Sequence, residues 1–334
     1  MEPITKNFID QKLSEPDRES RYGFHFIQLF NANKLEFLLR YIRGWTPATT
    51  SPALLFGGTI HTAREFWYKH GLNEKLDLQE LLDVFMHIHK SKYPLYAEGS
   101  KFQEDQTRGL LMLSEWGKAT LNELDRYEFL SIEETWDVKL ANGFPMTVKL
   151  DDLRRDRTTG MVLIGEAKTT SWSIDQMAKS VYEKDQRTHY SLGVYKARPD
   201  LGIPAVMPDI MYSRGSQAKV GRPAIFQSTP EDLLLYEQEL IGLYMDLYVR
   251  IQNLRDGIPL TLLFPRNGDM TSLFGSVYSQ IPRKLAYLSP LDQEPPEGFV
   301  VDPRVQSGLI QDFVDEWNKT GRIPEIEQRR NHIK

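Results

Sequence analysis

The hydrophobic pattern changes from helical to strand-like at about residue 128, and this change constrains the fold more than any other feature. Three short runs rich in Val, Ile, Leu, Trp and Thr follow, at 128–140, 145–153 and 161–168. Asn142-Gly143 separates the first two runs, and Asn-Gly between alternating runs is a strong hairpin signal. Arg157-Thr158-Thr159-Gly160 separates the second run from the third. The sequence therefore predicts three antiparallel strands joined by tight turns.

Helical patterns lie on both sides of these strands. Apolar residues recur at helical spacing over about 24–43, 55–70, 78–93 and 102–127, and again over about 181–197 and 230–254. Further strands are predicted at 206–213 and 224–228, a proline-rich loop at 289–303 and a short helix near 311–319. The order of helix, three strands, helix and strand predicts an α/β fold with helical additions before and after its core.

The ends of the chain differ in composition from its middle. Residues 1–22 are polar and mixed in charge, which predicts a flexible leader and not a signal or transit peptide. We expect one domain over 23–285, with a helical insertion at about 72–127, followed by a loop and short helix over 286–334. Because no apolar run approaches the roughly 20 residues that cross a bilayer, we expect a soluble intracellular protein without a membrane partner.

The chain contains no cysteine and has a net charge of −5. The absence of cysteine excludes disulfides, thiolate zinc sites, cysteine-ligated iron–sulfur clusters and cysteine nucleophiles. A catalytic metal must therefore be held by oxygen and imidazole ligands, and oxygen-rich sites suit Mg²⁺ or Mn²⁺. The net charge argues against coating nucleic acid by bulk charge alone, but it leaves room for a local basic channel.

The end of the third predicted strand carries a carboxylate and an ammonium group. Glu166 and Lys168 are two residues apart, so they project from the same face of a strand. Asp151 lies on the neighbouring strand and is expected beside Glu166. Two adjacent carboxylates repel, and a divalent cation between them removes the repulsion. A surface salt bridge involving Lys168 is an equally good interpretation of these residues alone.

Two further groups of residues point in the same direction. Gln186 and Tyr190 are four residues apart, hence on one helical face, from which they could touch a phosphate or a base. Gly57-Gly58 is expected to open a helix that presents the imidazole of His61. Taken singly, a Tyr packed in the core and a hydrogen-bonded histidine are the more common interpretations.

Taken in order, Gly57-x-x-x-His61, Asp151, Glu166-x-Lys168 and Gln186-x-x-x-Tyr190 resemble the motifs of the PD-(D/E)XK nuclease superfamily. The branch they resemble contains the RecB nuclease domain and the CRISPR-adaptation exonucleases. The resemblance spans about 24–213, with a weaker trace at Phe264-Pro265-Arg266-Asn267. It implies a restriction-endonuclease-like core of helix, three-stranded antiparallel meander, helix and strand. The chain departs from the pattern in two ways: Leu150, not proline, precedes Asp151, and the four-cysteine iron–sulfur cluster of many relatives has no ligands here.

The resemblance implies a metal-dependent DNA nuclease, an exonuclease and not a site-specific endonuclease. His61, Asp151, Glu166 and the carbonyl of Ala167 would bind Mg²⁺ or Mn²⁺. Lys168 would assist the water nucleophile. Gln186 and Tyr190 would line the DNA path, and Glu134 would be a supporting acid. Repair, recombination and phage DNA processing are all compatible with this activity, and we expect the cytoplasm of a prokaryotic or phage-infected cell.

A local excess of positive charge favours DNA as the partner. We expect the protein to bind this DNA at a strand end. Residues 141–223 contain 13 Lys and Arg against 9 Asp and Glu, although the whole chain is acidic. Candidate phosphate contacts are Arg154, Arg155, Arg157, Lys179, Lys184 and Arg187. Such contacts predict salt-sensitive binding with little sequence preference. The sequence makes no prediction about protein partners.

Two alternatives remain open. The chain could be a catalytically silent module of the same fold that binds a DNA end or a partner, or a metal-dependent hydrolase with another substrate. Two other residue sets are discounted as functional. His87 and His89 lie about 200° apart on a helix, so they cannot share a metal. The tryptophans at 45, 67, 116 and 136 are expected to pack in the core.

Overall fold

A computed structural model of the protein describes residues 2–14, 21–49, 51–92, 99–182, 185–265, 278 and 281–320. The chain divides into two compact units, each assembled from three segments. Unit 1 comprises Met1–Glu19, Ser51–Trp136 and Val148–Leu233. Unit 2 comprises Ser20–Thr50, Asp137–Thr147 and Leu234–Lys334.

Helices dominate the described part of the chain. They are α1 (Pro3–Ser14), α2 (Phe24–Ala32), α3 (Lys34–Phe37), α4 (Pro52–Phe66), α5 (Leu78–Lys92), α6 (Ser100–Thr120), α7 (Glu123–Arg126), α8 (Ile174–Tyr182), α9 (Gln186–Ala197), α10 (Pro230–Arg255), α11 (Leu260–Leu263), α12 (Arg283–Leu288), α13 (Pro303–Gln306) and α14 (Leu309–Thr320). Short π-helical segments follow two of these helices, at Leu38–Ile42 after α3 and at Trp67–Gly71 after α4.

The strands form one large sheet and one small one. They are β1 (Trp45–Pro47), β2 (Tyr127–Lys139), β3 (Pro145–Asp156), β4 (Val162–Thr170), β5 (Ala205–Arg214), β6 (Gln217–Gly221), β7 (Phe226–Gln227) and β8 (Phe299–Val301). The large sheet has the order β2-β3-β4-β5-β6, with β7 also paired to β5, and the small sheet pairs β1 with β8. This mixture of helices and a mixed sheet confirms the predicted α/β class.

β4 is the strand around which unit 1 is organised. It is antiparallel to β3 and parallel to β5, and the connection from β4 to β5 passes through α8 and α9. Every residue from Val162 to Ala167 is buried. A strand that is buried on both faces has a continuous apolar sequence, which explains the run Val162-Leu163-Ile164.

Two apolar clusters cover the sheet of unit 1. One cluster contains residues of α1, α4, α5 and α6 together with Ala167 and Met211 of the sheet. The other contains Ile164 and Val206 of the sheet together with Val194 of α9. Helix α9 approaches the sheet closely at Gly193, where a Cβ would lie 2.4 Å from Cγ1 of Val148. Close approach of a helix and a strand therefore accounts for this glycine.

The start of the chain differs from the flexible leader predicted over residues 1–22. Pro3–Ser14 forms α1, and its residues Phe8 and Ile9 are buried. The ring of Phe8 lies 5.3 Å from that of Phe66. The few apolar side chains of this polar segment fall on one helical face, so tertiary packing stabilises a helix that the average polarity of the segment conceals.

Two other predictions need correction. The helix predicted over 181–197 is two helices, because α8 already begins at Ile174 and α9 begins at Gln186. The strand β6 was not predicted. It follows a turn in which Gly215 has a positive φ of 61°, and its polar sequence, Gln217–Gly221, lacks the usual apolar alternation of a strand.

Helix α4 begins earlier than the sequence suggests. Ser51 is its N-cap, where the side chain accepts a hydrogen bond from the backbone N–H of Leu54, and Pro52 occupies the first turn. Serine followed by proline is a common helix start. Gly57 and Gly58 therefore lie inside the helix and do not open it, and His61 is on its third turn.

Unit 2 is held together by aromatic packing and by one buried arginine. Ring contacts link Tyr22, Phe26, Phe144, Tyr244 and Phe313. The guanidinium of Arg43 donates hydrogen bonds to the carbonyls of Ala286, Ser289 and Pro290. Among the described residues, no helix is both long enough and apolar enough to span a membrane.

Candidate metal centre

Three potential metal ligands from three different elements of unit 1 converge. Nδ1 of His61 on α4 lies 3.1 Å from Oε1 of Glu133 on β2 and 3.4 Å from Oδ1 of Asp151 on β3. One ligand atom from each residue can be chosen so that all three lie within 4.8 Å of one another. One imidazole nitrogen and two carboxylate oxygens at such distances form a donor set that a divalent cation can bind.

The β3–β4 ladder places the second pair of predicted catalytic residues next to this group. Asp152 lies opposite Gly165 in the antiparallel register. Continuing that register brings Asp151 opposite Glu166, the arrangement expected from the sequence. Oδ2 of Asp151 also accepts a 2.7 Å hydrogen bond from the backbone N–H of Ala167. The backbone of β4 therefore fixes the orientation of the Asp151 carboxylate.

Glu166 and Lys168 form a mostly buried ion pair on β4. Nζ of Lys168 lies 2.9 Å from Oε1 of Glu166, whose side chain is only 2% exposed. The other carboxylate oxygen, Oε2 of Glu166, is buried and has no hydrogen-bond partner among the described residues. A buried carboxylate oxygen without a partner is costly. It is the kind of atom that a bound cation would satisfy, so the residues present fit a divalent metal.

The charges of the group depend strongly on one another. Burial alone would lower the pKa of His61, but Asp151 and Glu133 raise it to about 9. Burial alone would raise the pKa of Asp151, but His61, Lys168 and Arg64 hold it well below its usual range. Burial raises the pKa of Glu133 despite the nearby His61. In the absence of metal, a proton on the imidazole thus links the two acids.

Lys168 remains a cation in this environment. Burial alone would lower the pKa of Lys168, but Glu166, Tyr190 and Asp151 raise it above its usual range. An ammonium group that keeps its proton can stabilise negative charge on a substrate, whereas it cannot remove a proton from water.

Gln186 and Tyr190 meet on one face of α9, as their four-residue spacing predicts. Nε2 of Gln186 lies 2.6 Å from the hydroxyl of Tyr190. Burial raises the pKa of Tyr190, and Glu166 and Asp151 add to the increase while Lys168 opposes it. The phenol therefore keeps its proton and can donate a hydrogen bond beside Lys168.

The acid missed by sequence reasoning is Glu133. The structure places Glu133, and not Glu134, against His61, while Oε2 of Glu134 lies 2.8 Å from the hydroxyl of Ser131 and 3.1 Å from Nε1 of Trp136. The expectation that Glu134 supports the site is therefore wrong. Glu133 has a positive φ of 50°, which interrupts the regular alternation of β2. Two adjacent glutamates were the available signal, but strand alternation alone does not show which of them faces the site.

Arg154 is not a phosphate contact, which corrects the sequence prediction. Its side chain has no exposed surface and makes two hydrogen bonds to Asp152, with Nε 2.6 Å from Oδ1 and Nη2 2.7 Å from Oδ2. Nη1 lies 3.3 Å from Oε2 of Glu123. Arg154 shares a face of β3 with Asp152, and that face is covered by helices, so the charge serves a buried ion-pair network.

The other predicted DNA contacts differ in their surroundings. Arg155 is 39% exposed and lies 3.1 Å from Glu128. The guanidinium of Arg187 lies 3.6 Å from the ring centre of Phe226. Lys184 is outside the described residues, as are Arg266 and Asn267 of the weaker sequence trace. The structure adds Lys149, which is 48% exposed and lies 3.7 Å from Glu133, as a cation at the edge of the candidate site.

No protein-family model matches the sequence, and no curated protein matches it. A solved structure described as the crystal structure of SSO0001 is 11% identical, and the match covers 72% of this chain and 84% of that chain. Its TM-score is 0.26, which is too low to support an argument about fold or function.

Proposed function

We propose that this protein is a metal-dependent DNA nuclease of the PD-(D/E)XK type, similar to the RecB nuclease domain and the CRISPR-adaptation exonucleases, which degrades DNA from a strand end. The observation that carries the proposal is the convergence of His61, Glu133 and Asp151 next to the buried Glu166–Lys168 pair. Carboxylates and an imidazole that can bind Mg²⁺ or Mn²⁺, with an ammonium group alongside, suit phosphodiester hydrolysis.

The order of the elements supports a restriction-endonuclease-like core for this nuclease. Helix α4 carries His61, the neighbouring strands β2, β3 and β4 carry the acids and Lys168, α9 carries Gln186 and Tyr190, and β5 pairs in parallel with β4. This is the succession of helix, three strands, helix and strand that the resemblance implies. In this proposed core, residues from distant parts of the sequence lie near Glu166 and Lys168 of β4.

In the proposed mechanism His61, Glu133 and Asp151 would hold the cation. The resemblance implies Glu166 and the carbonyl of Ala167 as further ligands, but Glu166 is not among the three residues whose ligand atoms lie within 4.8 Å of one another. A bound Mg²⁺ or Mn²⁺ would neutralise charge on the scissile phosphate and lower the pKa of a coordinated water. Asp151 is kept in position by the N–H of Ala167 and stays ionised, so it is ready to bind a cation at neutral pH.

Lys168, Tyr190 and Gln186 act on the substrate in this proposal. Lys168 stays protonated and stabilises the negative charge that develops on the phosphate. Tyr190 keeps its phenolic proton, so it donates a hydrogen bond to a phosphate oxygen, and Gln186 orients that hydroxyl. Phosphate contacts of this kind position the strand without reading its sequence.

The experiment that tests the proposal is digestion of end-labelled linear and closed circular DNA by the purified protein with Mn²⁺ or Mg²⁺. We expect the linear DNA to be degraded and the circular DNA to persist. Lys168→Ala should lose at least about 100-fold in rate, as is typical when a group that stabilises developing charge is removed. Lys118→Ala is the matched control, because Lys118 is an exposed lysine whose ion pair among the described residues is with Glu115 on α6.

Other outcomes contradict parts of the proposal. Equal digestion by the unmodified protein and Lys168→Ala would contradict this active site. Binding of DNA ends without any cleavage would instead favour the catalytically silent module of the same fold. Cleavage of circular DNA at the same rate would contradict an exonuclease.

A further inference from the structure

One buried guanidinium in unit 1, that of Arg64, binds carboxylates on two different strands. Nη2 of Arg64 lies 3.4 Å from Oδ2 of Asp152 on β3 and 3.3 Å from Oδ2 of Asp209 on β5. None of these three side chains is more than 2% exposed. A buried charge is strongly unfavourable when its partner is missing, so these contacts are hard to give up. Arg64 therefore fixes the position of α4 relative to both strands.

The strand between β3 and β5 leaves room for this contact. β4 has Gly165 opposite Asp152 and Ala167 opposite Asp209. A Cβ at Gly165 would lie 2.2 Å from Oδ2 of Asp152. Because β4 offers only a glycine and an alanine at these positions, the guanidinium can reach both carboxylates across it. Arg64 thus joins α4 to β3 and β5 and spans β4, which lies between them.

Each element joined by Arg64 carries a residue of the candidate metal centre or lies next to one. His61 precedes Arg64 by three residues, about one turn of α4. Asp151 directly precedes Asp152 on β3. Glu166 lies between Gly165 and Ala167 on β4. A shift of Arg64 would therefore be transmitted to the imidazole and to both acids.

We infer that Arg64 is a positioning residue for the metal centre, which holds His61 against Asp151 by pairing with Asp152 and Asp209. The inference rests on the proposed function, because it assumes that His61 and Asp151 bind one cation. Without the two ion pairs, α4 could slide along the sheet, and the 3.4 Å separation of Nδ1 of His61 from Oδ1 of Asp151 would no longer be maintained. Mutation of residues that do not bind the metal themselves but hold its ligands in position commonly lowers metal affinity.

The same ion-pair network offers a control. Arg222 follows β6, and its Nε lies 3.3 Å from Oδ1 of Asp209. It also pairs with Glu123. No candidate metal ligand lies on β6, so Arg222 contributes to the network without contacting an element that holds His61 or Asp151. Loss of Arg222 should lower stability without moving the ligands.

The test is a titration of the full-length protein with Mn²⁺ alone, followed by electron paramagnetic resonance, together with urea unfolding of each variant. Arg64→Lys keeps the charge, but the lysine ammonium group ends one bond short of the position of Nη2, the nitrogen that contacts both carboxylates. We expect it to bind Mn²⁺ about 10- to 100-fold more weakly. Arg222→Met should lower the urea midpoint and leave the affinity unchanged. A purely structural role of Arg64 would give unchanged affinity in both variants, which would overturn the inference.

Asp209→Asn provides a second test if Arg64→Lys does not fold. It removes the charge on one arm of the contact, keeps the Asp152 arm and retains an acceptor for Nε1 of Trp116. Weaker Mn²⁺ binding by Asp209→Asn with unchanged binding by Arg222→Met would support the inference. Equal weakening in Asp209→Asn and Arg222→Met would overturn it, because the effect would then follow the stability of the network. Failure of the unmodified protein to bind Mn²⁺ would overturn the metal centre itself, and the positioning role with it.

Discussion

Nδ1 of His61 lies 3.1 Å from Oε1 of Glu133, although the backbone of Glu133 adopts a positive φ of 50°. Residues other than glycine rarely adopt this conformation, which costs roughly 1–3 kcal/mol. Such strain persists where the surrounding structure holds it, and it is concentrated at functional sites. Here the result is that Glu133 faces the histidine, whereas the adjacent Glu134 bonds to Ser131 and Trp136.

Replacement of Glu133 by Gln should weaken Mn²⁺ binding by about 10- to 100-fold, because one of the converging carboxylates is lost. Isothermal titration calorimetry with Mn²⁺ measures this change. Glu134→Gln is the matched control, since it alters the same residue type one position along the strand and removes no carboxylate from the group around His61. Equal affinities of the two variants would show that Glu133 is not a ligand.

Mn²⁺ affinity should rise with pH. Against the effect of burial, Asp151 and Glu133 raise the pKa of His61 to about 9, so the metal-free protein carries a proton that the ion must displace. We expect the affinity to increase by up to about tenfold per pH unit between about pH 7 and pH 9, and to level off above.

The stability of the metal-free protein should change with pH in the opposite direction to the Mn²⁺ affinity. Because the pKa of His61 is higher in the folded protein than the ordinary 6.5, its contribution to stability is fully present below about pH 6.5 and is lost as the pH rises through about 9. His61→Gln should remove most of the pH dependence of the Mn²⁺ affinity and most of this contribution to the pH dependence of stability. A Mn²⁺ affinity that is as steep in pH for His61→Gln as for the unmodified protein would contradict this prediction.

Turn chemistry and residue spacing explain what could be predicted from the sequence. The hairpin at Asn142-Gly143 forms as expected, with Gly143 at a φ of 85° and the side chain of Asn142 accepting a hydrogen bond from the N–H of Phe144. The two-residue spacing of Glu166 and Lys168 on a strand correctly predicted that their side chains meet. The four-residue spacing of Gln186 and Tyr190 on a helix did the same. These relationships span at most four residues, so local geometry determines them.

The features that sequence reasoning missed depend on residues far apart in the chain. Arg154 looked like a surface cation, but its partners include Glu123 and Tyr68, which are 31 and 86 residues away. The position of Glu133 depends on a positive φ, and because the residue is not a glycine, the sequence gives no sign of this backbone conformation. The helix α1 is stabilised by packing of Phe8 against Phe66 and not by its own composition. In each case tertiary contacts override the local pattern.

Stability should fall as the pH decreases below about 6.5, and His89 should account for part of the fall. His89 is fully buried, with its ring 5.2 Å from that of Phe85 and 4.7 Å from that of Phe102. Burial lowers the pKa of His89, and Asp105 offsets only part of the effect. The unfolded chain therefore binds a proton that the folded protein does not, at a cost of up to about 1.4 kcal/mol per pH unit until the folded pKa is reached.

Urea unfolding at pH 7 and pH 5.5 measures this effect. His89→Leu should lose less stability between the two values than the unmodified protein. His87→Leu is the control, because His87 lies two residues away on the same helix with its side chain exposed. An unchanged pH dependence in His89→Leu would rule out His89 as the source.

Gly58→Ala should stabilise the protein. Gly58 lies inside α4, where glycine costs about 0.5–1 kcal/mol relative to alanine. A Cβ at this position would meet no atom within 4 Å among the described residues, so the methyl group adds no steric cost. We expect the free energy of unfolding to increase by about 0.5–1 kcal/mol in urea unfolding. Mn²⁺ affinity should not change, because the new methyl group contacts none of the ligands.

Gly109→Ala should have the opposite effect and is the matched control for a helical glycine. A Cβ at Gly109 on α6 would lie 2.1 Å from Cζ of Phe85, a ring with no exposed surface. The ring cannot withdraw without disturbing a close-packed core, which typically costs about 1–3 kcal/mol. If Gly58→Ala lowered stability as Gly109→Ala does, the interior of α4 would be more closely packed than its geometry indicates. Opposite signs would show that helix propensity dominates at Gly58 and steric overlap at Gly109.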